Sequence, residues 1–208
     1  MTDVNLETVG ANELVNARTG EVVSLASLWQ GPQPVVITFL RRFGCAVCRW
    51  CARELSTGMA RANLPAGAVR LVAVASERVG LQEFLDGNFF SGGDLFIDDK
   101  KQCYNDLGFK RYNALSIIPV ALGKKVRDIV AKAVEDGVSG NLSGDLLQTG
   151  GCLIVSAGGE KVLLCFRQDS PGDFVPVETV LEVLGFQSEP KAQENAPQPE
   201  VQRTHCRH

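Results

Sequence analysis

Short unbroken apolar runs alternate along this chain with stretches whose apolar residues recur every three or four positions, a pattern that predicts strands and helices in turn. Val35-Val36-Ile37-Thr38-Phe39-Leu40 is an apolar run of strand length. Past Gly44, Cys48, Cys51, Ala52, Leu55 and Met59 fall on one face of a helix that should end near Asn63-Leu64-Pro65. Val69 to Ala75 reads as a second buried strand, so strand, helix and strand imply a parallel pair joined by a right-handed crossover. Leu81, Phe84 and Leu85 mark a short helix closed by Gly87, Asp94 to Ile97 a short strand, and Lys100 to Leu107 a helix stopped by Gly108.

Either side of this block the pattern changes. Residues 12–25 alternate around Arg18-Thr19-Gly20, which predicts an N-terminal hairpin. Ser116 to Leu122 is apolar and broken by Pro119, and it leads into a helix with Val126, Ile129, Val130, Ala133 and Val134 on one face. Gly137 and Gly140-Asn141-Leu142-Ser143-Gly144 follow as loop. Residues 152–156 and 161–167 flank Ala157-Gly158-Gly159-Glu160 as an antiparallel hairpin, and Pro176 opens a last helix with Val177, Val180, Leu181 and Leu184 inward. Together these elements predict an α/β, thioredoxin-like fold: a central mixed sheet flanked by helices, with an N-terminal hairpin and a helical insertion over about residues 109–148. One domain should span residues 1–186, while residues 187–208, rich in Pro, Gln and Glu without an apolar period, read as a disordered tail.

The strand-to-helix junction at Gly44 carries the chemistry. Cys45 and Cys48 are spaced Cys-x-x-Cys at the start of the predicted helix, where unpaired backbone N–H groups and the helix dipole favour a thiolate. Cys45 is therefore the candidate nucleophile, and Cys48, one turn deeper, the resolving thiol. Arg41, Arg42 and Arg49 surround the pair in sequence, and any of them close by would lower the thiol pKa further. A metal site is the competing reading, since Cys51 extends the spacing to Cys45-x-x-Cys48-x-x-Cys51. No fourth cysteine follows at a fitting distance, both histidines lie at 205 and 208, and no metal is expected. Cys51, Cys103, Cys152 and Cys165 read as small apolar packing residues.

Composition narrows the setting. The 208 residues carry a net charge of −3, which argues against general nucleic-acid binding, and no apolar run approaches the roughly 20 residues a bilayer span requires. The seven cysteines, scattered apart from the cluster at 45, 48 and 51, do not form the framework of a small secreted domain, and the N-terminus lacks the features of a signal peptide, so the expected location is the cytosol. No G-x-G-x-x-G or P-loop pattern occurs, and with no histidine before the tail, hydrolytic Ser/His or Cys/His chemistry is excluded.

The runs Leu40 to Trp50, Gly80 to Gly87, Leu107 to Asn113, Gly140 to Gln148 and Ser170-Pro171-Gly172-Asp173 resemble a family of prostaglandin endoperoxide reductases within the peroxiredoxin-like branch of the thioredoxin superfamily. The resemblance, which extends from about Leu6 to Phe186, implies a cytosolic oxidoreductase. Its activity would be to reduce the endoperoxide of prostaglandin H2, or of its ethanolamide, to the F2α diol, with NADPH as ultimate electron source. The family's dithiol falls on Cys45 and Cys48. The ordinary peroxiredoxin loop, Pro-x-x-x-Thr-x-x-Cys, would place Pro at Thr38 and Thr at Arg42, and neither is present. The implied mechanism has the Cys45 thiolate attack one oxygen and Cys48 then attack the sulfur, leaving a disulfide for thioredoxin and its NADPH-dependent reductase to reduce. A lipid substrate needs an apolar groove, for which the segment from Phe109 to Val138 is the candidate wall, with Phe43, Trp50 and Thr149 as candidate substrate-binding residues. A general thiol peroxidase or protein disulfide reductase, and a noncatalytic metal-binding or interaction module, stay open as alternatives.

Overall fold

The computed structural model describes residues 4–113, 119 and 122–186. The tail, and Ser116 to Leu122 apart from Pro119 and Leu122, lie outside the described residues. The elements run α1 (Leu6–Gly10), β1 (Glu13–Asn16), β2 (Val22–Ser24), a 3-10 turn (Leu25–Leu28), β3 (Val35–Leu40), α2 (Ala46–Arg61), β4 (Arg70–Ala75), α3 (Leu81–Asp86), β5 (Asp94–Ile97) and α4 (Gln102–Asp106). They continue through α5 (Lys124–Glu135), β6 (Gly151–Val155), β7 (Val162–Arg167) and α6 (Val177–Val183).

The seven strands form one mixed sheet in the order β2-β1-β5-β4-β3-β6-β7. β3, β4 and β5 are parallel, β1 joins β5 antiparallel, and the β6–β7 hairpin closes the other side through β6 against β3. The short run at Asp94 is thus a third parallel strand, and it carries the N-terminal hairpin. Because strand side chains alternate, β3 divides its residues between two cores. Val36 and Leu40 face α2, α5 and α6, whereas Val35, Ile37 and Phe39 face α1, the 3-10 turn and α4. β3 lies inside the sheet, between β4 and β6, and is covered on both faces, so its residues read as a nearly continuous apolar run.

α2 starts where β3 ends, because the chain must turn from the sheet edge into a helix within Arg41 to Gly44. The helix buries Val47, Cys48, Trp50, Ala52, Leu55 and Met59 and stops at Asn63, whose left-handed backbone (φ 50°) ends it ahead of Pro65. Cys51 sits at the margin of this face, half-buried. The predicted stripe on α5 divides likewise: Val126, Ile129 and Ala133 are buried, while Val130 and Val134 face outward. They remain outward because the α5 surface packed on α2 is only wide enough for part of the apolar stripe.

Candidate active site

Cys45 is the N-cap of α2, with an extended backbone (φ −78°, ψ 121°), and its Sγ accepts the backbone N–H of Cys48 at 3.4 Å. The residue does with sulfur what a serine or aspartate N-cap does with oxygen. Arg41 Nη1 lies 3.9 Å from the same sulfur. The Cys45 thiol is lowered well below its ordinary range, first by the hydrogen bond from the Cys48 side chain, then by the charge of Arg41, the Cys48 backbone N–H and the charge of Arg42, all against the opposing effect of burial. Cys48 moves the other way, raised by that same hydrogen bond, by burial and by the negative charge of Cys45. The pair therefore rests as a thiolate at 45 and a thiol at 48 near neutral pH.

Arg41 and Arg42 are buried, and among the described residues neither pairs with a carboxylate. Arg41 donates to the carbonyls of Gln148 (3.0 Å) and Leu146 (2.9 Å), and Arg42 to those of Asn141 (2.6 Å) and Ser143 (2.9 Å), while Arg42 Nε is buried with no acceptor. Their counter-charge is the thiolate. Arg49 belongs elsewhere, contrary to its expected part in tuning the thiol: four residues along α2 its side chain turns back, away from the sulfur. It bonds the Phe43 carbonyl (2.7 Å), the Ser139 carbonyl (3.0 Å) and Glu83 (2.7 Å).

A cavity of about 660 Å³ opens over Cys45 between α5 and the segment that follows it. Val126, Val130 and Val134 of α5 form one wall, Leu142 and Leu146 the other, and Arg41 and Arg42 the floor beside the thiol. Leu142 is 79% exposed and Val134 68%, so apolar side chains stand open to water at the mouth of the groove. The α5 wall falls within the expected segment. Leu146 and Pro171, by contrast, belong to no apolar period, being single apolar residues in loops, and stand out only as members of the runs that carry the family resemblance.

None of the three residues expected to bind substrate lines this groove. Phe43 is fully buried against Phe84, with ring centroids 4.9 Å apart. Trp50 packs edge-on to Phe174 and donates its indole N–H to Asp136 at 2.7 Å. Thr149 is fully buried and donates its hydroxyl to the Lys110 carbonyl at 2.8 Å. All three are placed by packing, because nearness to a cysteine in sequence does not set the direction of a side chain. Phe109, at the start of the expected insertion, is also core, tilted against Phe39 and edge-on to Tyr104.

Among the described residues the other cysteines are shielded. Burial raises the thiols of Cys51 and Cys103, pushes Cys152 up to about 12 and raises Cys165, so none is ionised near neutrality. Among the described residues no three His, Cys, Asp or Glu side chains are placed to hold a metal ion, and no helix is long and apolar enough to cross a membrane.

Residues 55–170 match the family model described as AhpC/TSA antioxidant enzyme. The chain is similar to the protein named prostamide/prostaglandin F synthase from Xenopus laevis, at 60% identity over 89% of this chain and 90% of that one. It is 57% identical to the Homo sapiens protein of the same name, over 91% and 93% of the two chains. Among solved structures, an alkyl-peroxide-reducing bacterioferritin comigratory protein of Xanthomonas campestris superposes with a TM-score of 0.58 at 12% identity, covering 89% of this chain and 98% of that one.

Proposed function

This chain belongs to the prostamide/prostaglandin F synthases, thioredoxin-like oxidoreductases of the AhpC/TSA group, and on that premise we propose that it reduces the endoperoxide of prostaglandin H2 and prostamide H2 to the F2α diols through Cys45 and Cys48. The observation that carries this reading is a stabilised thiolate at the foot of an aliphatic groove large enough for a lipid.

The chemistry follows from the protonation states. The Cys45 thiolate attacks one oxygen of the O–O bond, forming S–O and expelling the other oxygen as an alkoxide. Cys48, whose proton is retained, gives that proton to the alkoxide and becomes the second thiolate. It then attacks Cys45 Sγ, forming S–S and releasing the second oxygen, which takes a proton from water. One dithiol is oxidised and one peroxide becomes two hydroxyls. Arg41, beside the sulfur in the floor of the groove, supplies positive charge where the first alkoxide develops.

NADPH is the ultimate reductant in this reading, but the lining of the groove does not fit a bound dinucleotide. The groove walls are aliphatic, its two guanidiniums hold backbone carbonyls, and no carboxylate among its lining residues could take a ribose hydroxyl. Electrons arrive instead by thiol–disulfide exchange from thioredoxin, which suits the reducing cytosol.

With thioredoxin, its reductase and NADPH supplied, kcat/KM for prostaglandin H2 should exceed that for hydrogen peroxide by orders of magnitude, since lipid chains bound in the groove can position the O–O bond. Equal or faster turnover of hydrogen peroxide would make the protein a general thiol peroxidase. In Cys48→Ser, mass spectrometry should find the lipid adduct held on Cys45.

A further inference from the structure

The segment from Val138 to Ser143 crosses the N-terminus of α2 like a strap, and it touches that helix through its backbone. A Cβ on Gly140 would lie 2.4 Å from the backbone nitrogen of Ala46, so only glycine lets the strap lie this close to the first turn of α2. Gly44 is constrained from the opposite side, since a Cβ there would meet Asn141 Oδ1 at 2.1 Å. Asn141 N–H donates to the Gly44 carbonyl at 2.7 Å. The strap supplies Val138, Ser139, Gly140, Asn141 and Leu142 to the groove, and beneath it Cys45 is only 6% exposed.

One carboxylate oxygen ties this arrangement together. Glu83 Oε2, on α3, accepts Arg49 Nη2 at 2.7 Å and Asn141 Nδ2 at 2.9 Å, while Arg49 also holds the Ser139 carbonyl. Glu83 and Arg49 do not line the groove, and neither is among the groups that shift the Cys45 thiol. Glu83 is 61% exposed while Arg49 is buried, so the carboxylate end of the ion pair stays in water and the guanidinium end keeps its bonds to the Phe43 and Ser139 carbonyls when Glu83 is removed.

We propose that Glu83 and Arg49 are positioning residues that fix the strap, and that the fixed strap sets specificity by walling the groove for a lipid and barring bulky thiol-reactive molecules from Cys45. The lipid half of this statement rests on the reading of function above; the access half does not. Lifting the strap removes one wall of the groove and frees Arg42 from the Asn141 and Ser143 carbonyls, but the thiolate keeps the Cys48 N–H and Arg41, which is held by Gln148 and Leu146 outside the strap. Lipid binding then suffers, and the reacting atoms do not.

The test is Glu83→Ala, with Glu83→Gln, whose amide oxygen can still accept, as the conservative variant, and Asn141→Asp, which sets two carboxylates against each other, from the strap side. Without any lipid, alkylation of Cys45 by a bulky maleimide should accelerate about tenfold or more in Glu83→Ala and Asn141→Asp, the effect of releasing one or two hydrogen bonds. Alkylation by iodoacetamide should change less than about threefold, because the thiolate itself is untouched. Glu83→Gln should fall between wild type and Glu83→Ala. With prostaglandin H2, KM should rise about tenfold in Glu83→Ala at nearly constant kcat, the signature of lost uniform binding. Unchanged reagent selectivity in both Glu83→Ala and Asn141→Asp would overturn the proposal, as would equal acceleration by both reagents accompanied by labelling of buried Cys103 and Cys152, which reports loosening of the whole fold. If wild type fails to turn over the endoperoxide while the selectivity still changes, the reading of function falls and the strap stands.

Discussion

The Cys48 thiol influences Cys45 more than either arginine does, and that ordering can be measured. Because the folded Cys45 pKa is lowered, its thiolate persists as pH falls below the ordinary thiol value of about 8.5. Cys48→Ala removes the strongest cause, so the acid limb of Cys45 alkylation should move to higher pH, and by more than in Arg41→Gln. A limb that stays in place in Cys48→Ala would show that the helix and the arginines are sufficient. The core residues near the site should behave differently. Phe43→Ala should cost about 3–5 kcal/mol of stability through the cavity it leaves, and Trp50→Phe about 1–2 kcal/mol through its lost hydrogen bond. In both, denaturant midpoints should fall while the KM of the remaining folded enzyme changes little.

Helix α5 has two apolar faces with different tasks. Ala133 is fully buried, so Ala133→Leu should overpack the core at about 1–3 kcal/mol. Val134 lines the groove from an exposed position, so Val134→Glu should leave the melting temperature within about 2 °C, as surface changes usually do, and should raise KM for the lipid. The reverse pattern in this pair would mean that the groove lies elsewhere. The pattern of α5 shows in the sequence; its division between core and groove does not, because periodicity gives the direction of a face but not the width of the partner. β3, α2 and the β6–β7 hairpin are legible from their runs, periods and glycine turns, and the position of Cys45 at a helix start follows from Gly44 and the spacing. α1 is missed because five residues carry no period; its one signal is Asn5, whose Oδ1 accepts the N–H groups of Glu7 and Thr8. The strap reads only as a loop, since it works through the carbonyls of Ser139, Asn141 and Ser143, which no side-chain pattern reveals.

For the molecule as a whole, the two buried arginines make an electron behave as a ligand of the folded state. Oxidation to the 45–48 disulfide replaces the thiolate by neutral sulfur, and Arg41 and Arg42 are then left in the interior without the counter-charge they share when reduced. The unfolded chain suffers no such loss, because there water solvates both guanidiniums. A disulfide ordinarily stabilises by restricting the unfolded chain, yet a Cys-x-x-Cys ring is so short that this effect is small. Reduction should therefore stabilise the fold, with the reduced protein melting above the oxidised one, the opposite of a structural disulfide. By the same cycle, folding should make the couple oxidising, with a potential less negative than the roughly −270 mV of thioredoxin, so that electrons run downhill into the site. Arg41→Gln should narrow both differences. An oxidised form more stable than the reduced would refute this linkage; if it holds, the charges that ready Cys45 for attack also ensure that the enzyme cannot rest comfortably in the state its own reaction produces.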